Sequence, residues 1–408
     1  MHRLSPQKRD IGYFVVFGVL FLLMAKGGIN KYFVLLAIST IFVSVKRKLN
    51  LSYFIVAVHV TLYVALGFII AVMTSNFTFH SIKQSLIFWA APLMAVSVFS
   101  MYGKENSGKL IDIQFVALCM AYLILYINNH TPGEFYFESN YYAYIFGVYG
   151  LIHFLRKRYM LCAVAIMFMI IDNKRIVNGA FVFTFLCLLF LLMARKEICQ
   201  KGINIAIRIM LIIVPILWVV FGWNGVLESF FIKHEIHSMG RLDGAAAWNK
   251  IQPYYDMSVS YIGKGSGWVE KWLGETGIPG FTRNLHNDFL VAYIELGFIG
   301  FLLWLFSFQI IIKYVEKKKN LNCANLVALL IGYMFINLMT DNIYLYITFL
   351  IPFYIILLGL IFGDADSPKL DICKKISAKR AYAKRDMKTD KNHIGKVEDF
   401  KNGNKGYC

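Results

Sequence analysis

The chain reads as an all-α, polytopic integral membrane protein with about twelve transmembrane helices and one large external loop. Three observations carry that fold class. Of the 408 residues, 58% are hydrophobic and only 16% are charged, against about 25% charged in a soluble globular protein. The apolar residues fall in twelve runs, most of them near the ~20 residues an α-helix needs to cross a bilayer. The basic residues behind the formal net charge of +18 lie in short clusters between those runs. That is the pattern of the positive-inside rule and not of a nucleic-acid-binding surface, so no nucleic-acid partner is expected.

The predicted spans run 11–27, 32–45, 51–73, 85–101, 110–127, 139–155, 159–172, 176–194, 204–222, 288–312, 322–340 and 344–362. The second and seventh are short. The leading segment Met1 to Asp10 runs into a span without a small-residue cleavage site, so the first helix serves as its own targeting signal. With the N-terminus inside, the six cytoplasmic connections hold 18 basic residues and the short external turns hold 5 (Lys26, Lys31, Lys83, Lys174 and Arg175). That asymmetry places both termini in the cytoplasm. Cys119, Cys162, Cys187, Cys199, Cys323, Cys373 and Cys408 all fall in apolar segments, cytoplasmic loops or the tail. Reduced thiols are therefore expected, and no residues have metal-ligand spacing.

Two segments interrupt the hairpin rhythm of the bundle, 1–362. The stretch 222–285 is rich in Gly, Trp, Tyr and charge and reads as a folded external cap. The tail 363–408 holds 12 basic and 7 acidic residues with no periodicity, the composition of a disordered segment resting on an anionic inner leaflet. No internal repeat relates the two halves as in many transporters.

Charged groups within or beside a span are costly unless they pair or work. Here most collect at the external ends: Glu138 beside Asn140, the turn Asp172–Arg175, Glu295, and Asp341 beside Asn342. Arg241, Lys264, Arg283 and His286 of the long loop join them. Arg175 runs against the charge bias. It reads either as a phosphate ligand at the end of a short helix or as an interfacial arginine paired with Asp172. Arg241 is a second phosphate-ligand candidate. Gly263-Lys264-Gly265-Ser266-Gly267 reads either as a plain turn or as backbone able to approach an anion. His286, at a loop-to-helix junction beside Asn287, is suited to acid or base work or to a structural bond. Glu295 lies nine residues on, roughly 180° around a helix of ~3.6 residues per turn, so it reads as structural or acceptor-side and shares a face with Asp288. Gly297 and Gly300 are predicted to give close helix contact. Asp364-Ala365-Asp366 has the D-x-D form, but in a tail too short for a nucleotide-binding domain.

His286-Asn287, nine residues, then Gly297-Phe298-Ile299-Gly300 resembles the pattern of the bacterial O-antigen polymerase and ligase superfamily. Asn140 opening a helix, the Lys174-Arg175 turn, and Ser238-Met239-Gly240-Arg241 with Trp248 agree with it, so that the resemblance covers about Asn140 to Leu360. Members commonly carry Ser or Thr where this chain has Lys174. The resemblance implies an all-helical, GT-C-like glycosyltransferase that works without metal or cofactor on the outer face of the inner membrane. It implies that Arg175 and Arg241 hold the diphosphate of an undecaprenyl-diphosphate-linked donor and that His286 assists the acceptor hydroxyl. Lys174, Asn140, Arg283, Asn287 and Lys264 are the substrate-binding candidates around them. A glycan acceptor, the bilayer, a chain-length regulator and a flippase are the implied partners. Polymerase is the expected activity; a ligase onto lipid A core shares the motifs, and a lipid-linked-glycan flippase is the alternative of a different class.

Overall fold

The computed structural model describes residues 6–24, 50–129, 141–194, 196–223, 225–235, 261–276 and 285–363. Long apolar runs leave the backbone polar groups one local way to be satisfied away from water, within a helix. Among the described residues the elements are accordingly helices joined by turns. In chain order they are α1 (Pro6–Met24), α2 (Val58–Met73, entered through a 3-10 turn at Leu51–Ala57), α3 (Phe79–Tyr102), α4 (Ser107–Asn129), α5 (Ala143–Leu155), α6 (Tyr159–Ile171) and α7 (Arg175–Met193). There follow α8 (Glu197–Trp223), α9 (Val226–Lys233), α10 (Trp268–Thr276), α11 (Asp288–Lys318), α12 (Leu321–Leu338) and α13 (Ile347–Phe362).

Helices occupy eleven of the twelve predicted span positions, and the remaining one, 32–45, lies outside the described residues, as does the tail beyond Gly363. Seven of the described helices are long and apolar enough to cross a membrane, the make-up of a polytopic membrane protein. Asp10–Leu23 of α1, and α5, α6 and α13, are apolar but shorter. Three helical starts follow from a single residue type. Asn50, Asn287 and Asn320 each accept a backbone N–H of the first turn at 2.9–3.1 Å, satisfying a donor that the helix itself leaves open.

All sixteen residues of α13 are buried. It is the central post, packed against α3, α4, α5, α12 and the Leu51–Ala57 turn. A second layer is built on α11, which packs against α2, α8 and α12. By contrast α8, just as apolar, turns Ile205, Ile209, Met210, Ile213 and Leu217 outward, the face a lipid-contacting helix presents. Cys119, Cys162, Cys187 and Cys199 are free, whereas Cys323 is disulfide-bonded, which departs from the expectation of reduced thiols throughout.

The predicted external segment does not lie wholly outside the bundle. Tyr261–Thr276 packs into a notch between α2, α3 and α11, and α11 breaks to receive it. At Gly297 the backbone leaves helical geometry (φ 69°, ψ 177°), a conformation open to glycine because it lacks a Cβ. The carbonyls of Ile294 and Glu295 then accept N–H bonds from Lys264 and Gly265 at 2.9 and 2.8 Å. Of the two glycines predicted to give close helix contact, Gly300 meets a neighbouring helix and Gly297 meets the loop instead. Gly297 meets the loop backbone at Tyr261–Gly263, while Gly300 faces Ile70 of α2.

Candidate functional site

Four segments meet at one end of the bundle: the approach to α5, the α6–α7 turn, the residues before α11 and the α12–α13 connection. Asp341 is their common partner. Its Oδ2 accepts the Tyr144 hydroxyl and lies 3.6 Å from Lys174 Nζ. Its Oδ1 accepts the Tyr346 hydroxyl and the Asn342 backbone N–H, and lies 3.2 Å from His286 Nδ1. The Lys174 ammonium donates to the Tyr144 hydroxyl at 3.3 Å and stands 4.8–5.8 Å from the ring centres of Tyr141, Tyr144 and Tyr346.

Burial by itself would raise the Asp341 pKa. The bond from His286, the charge of Lys174 and the two tyrosine hydroxyls outweigh it and hold the carboxyl well below the usual range. An ionised Asp341 selects the His286 tautomer with the proton on Nδ1. His286 is held in the left-handed region (φ 48°) with its side chain half exposed, an uncommon backbone for a residue with a Cβ.

The backbone around His286 is fixed on its C-terminal side. Asn287 accepts the Leu290 N–H at 3.1 Å as the α11 cap, which gives its side chain a role in the fold. Asp288, also buried, accepts the Tyr344 N–H at 3.0 Å. That bond ties the start of α11 to the connection carrying Asp341.

Arg175 is the first residue of α7 and is exposed. It forms no ion pair among the described residues, so the expected alternative of pairing with Asp172 is not realised. Asp172 is instead fully buried beside the Ala143 N–H at the start of α5.

The Gly-rich turn is not an anion cradle. Besides Lys264 and Gly265, Ser266 N–H donates to Gly67 O at 2.9 Å and Gly267 N–H to Glu295 Oε1 at 2.9 Å. Lys264 stands over Trp268 at 5.7 Å, and its carbonyl accepts from Thr74 and Asn76. Glu295 is fully buried and accepts from Tyr63 at 2.7 Å and Gln84 at 2.9 Å as well. It is a staple joining α2, α3, α11 and the loop, far better satisfied than a buried acid with work to do.

Arg241, Asn140 and Arg283 lie outside the described residues. The structure therefore brings together His286 and Lys174, places Arg175 on the turn beside them, and adds Asp341, Tyr141, Tyr144 and Tyr346. Asp341 carried a signal, as an acidic residue at a predicted span end. The tyrosines carried none, since such residues crowd every membrane interface. Among the described residues no group of three His, Cys, Asp or Glu side chains could hold a metal ion. No family model, curated protein or solved structure matches the chain.

Proposed function

We propose that the chain is a metal-independent membrane glycosyltransferase that polymerises undecaprenyl-diphosphate-linked repeat units of a surface polysaccharide, such as O-antigen or capsule. The reading takes the bundle as twelve GT-C-like spans of the inner membrane, both termini cytoplasmic, with the His286 end facing the periplasm. The observation that carries it is the His286–Asp341 pair at 3.2 Å, set beside a turn whose Arg175 is exposed and without an ion pair among the described residues.

In that reading the acceptor hydroxyl gives its proton to the His286 imidazole as its oxygen bonds to the anomeric carbon of the donor. The bond from that carbon to the diphosphate oxygen breaks, and undecaprenyl diphosphate leaves. Asp341 keeps the imidazole oriented and offsets the charge it acquires. Arg175, with Arg241, stabilises the negative charge growing on the leaving group. The geometry of the bundle supports a lipid-borne donor. With thirteen residues each, α5 and α6 are about 20 Å long at ~1.5 Å per residue, shorter than a ~30 Å hydrocarbon core. If Arg156 and Arg158 mark the inner surface, α6 alone would leave the Lys174–Arg175 turn short of the outer one, whereas the nineteen-residue α7, about 28 Å long, brings Arg175 back toward the level of the lipid phosphates.

The test is extension of purified lipid-linked repeat units. Arg175→Ala, Arg241→Ala and His286→Ala should each abolish it while the protein stays in the membrane, and a chelator should leave wild-type activity intact. Wild-type activity in all three variants overturns the assignment. In a deletion strain, lipid A core bearing a single repeat is the expected product. Long polymer stranded on its carrier would replace polymerase by ligase.

A further inference from the structure

The tyrosines around Asp341 do more than hold a carboxylate. Tyr141 is 41% exposed, and its ring lies on that of Tyr346 with centres 4.5 Å apart and planes 36° apart. Tyr346 in turn lies 5.4 Å from Tyr144. Both inner rings turn their hydroxyls to Asp341, and the Lys174 ammonium stands beneath all three. The outer ring thus rests on partners that are pinned at their polar ends and cannot swing away. A tyrosine of the ordinary interfacial kind has no such backing. Tyr346 and His286 also bond the same Asp341 oxygen, so the inner edge of the stack lies no farther from the imidazole than two hydrogen bonds.

We infer that Tyr141, backed by Tyr346, is a stacking platform for a pyranose ring of the acceptor glycan, holding the sugar whose hydroxyl His286 deprotonates. A pyranose presents one face of C–H groups, weakly positive and apolar, which matches the negative face of an aromatic ring. Its hydroxyls project sideways, clear of the aromatic face. A flat, rigid ring loses little freedom on binding, so even one such contact tells in affinity. This inference rests on the glycosyl-transfer reading for its substrate, though the binding itself can be read without turnover.

The experiment uses detergent-purified full-length protein and lipid-linked repeat units extracted from a strain lacking the gene, together with the oligosaccharide freed from them by mild acid. Tyr141→Ala should raise KM for the acceptor about tenfold with kcat little changed, whereas Tyr141→Phe keeps both. In saturation-transfer NMR the free oligosaccharide should show contact through its C–H protons in the wild type and in Tyr141→Phe, but not in Tyr141→Ala or Tyr141→Leu. Equal melting temperatures show that the variants are folded. Wild-type saturation transfer in Tyr141→Ala overturns the platform whether or not the protein makes a transfer product, and where it does, so does a wild-type KM. If the wild type makes no transfer product, yet its saturation transfer disappears in Tyr141→Ala, the enzyme reading fails while the sugar platform stands.

Discussion

The two ends of α5 each finish at a partly buried carboxylate, and the two are built for opposite purposes. Beyond its C-terminal end Asp112 is gripped by Arg156 through both guanidinium nitrogens at 2.7 and 3.2 Å, and by Arg158 at 2.5 Å. Arg156 also donates to Gly108 O, and its side chain is 1% exposed. At the other end Asp341 is held by a lysine, two tyrosines and a half-exposed histidine. Guanidinium groups fit a carboxylate as a fork and never release a proton in the accessible range, so the Asp112 cluster is a lock between α4 and the α5–α6 turn. The Asp341 partners include an imidazole that can take a proton and a lysine that meets the carboxylate as a point charge. Different partner chemistry around the same kind of acceptor separates a fastener from a candidate site.

The largest effect should come from deleting each hub. Asp341→Ala should lower polymer formation by about 10²-fold or more, the usual scale of a lost acid–base arrangement, in protein that still purifies as a folded species. Asp112→Ala should do the reverse, costing on the order of 3 kcal/mol by stranding the buried Arg156, with activity per folded molecule unchanged. Activity and melting temperature measured on both variants decide the matter, and a swapped pattern breaks the comparison.

A milder exchange turns one hub toward the other. Lys174→Arg gives Asp341 a fork like that of Asp112, and the guanidinium should compete with His286 for Oδ1. The expected result is a melting temperature at or above wild type with activity reduced about tenfold, near the ~1.4 kcal/mol of one weakened bond. Unchanged activity would mean that the lysine is no more than a countercharge.

The smallest effect concerns Asp172, which is fully buried close to the Ala143 N–H and forms no ion pair among the described residues. Asp172→Asn keeps the shape of the side chain and removes its charge, so melting temperature and activity should both stay close to wild type. A large fall in melting temperature would show that the charged carboxylate is what the fold uses.

Helix positions were legible in the sequence because hydropathy is local: a run of apolar residues becomes a helix wherever it sits in the bundle. His286 and the Lys174–Arg175 turn were legible as polar groups at span ends, where charge is conspicuous. The Gly-rich turn admitted two readings in sequence, and its backbone partners in α2 and α11 chose between them. Glu295 could be placed on a helix face, but its donors Tyr63, Gln84 and Gly267 come from three other segments.

The sequence by itself determined an all-helical chain with long apolar helices, and which end of those helices gathers polar residues. Only the tertiary structure decided that Asp341 is the centre of that end. Its bonds to Tyr144 and His286 join residues 197 and 55 positions apart. No periodicity or composition records such a pairing, because it exists only once the helices have chosen their neighbours.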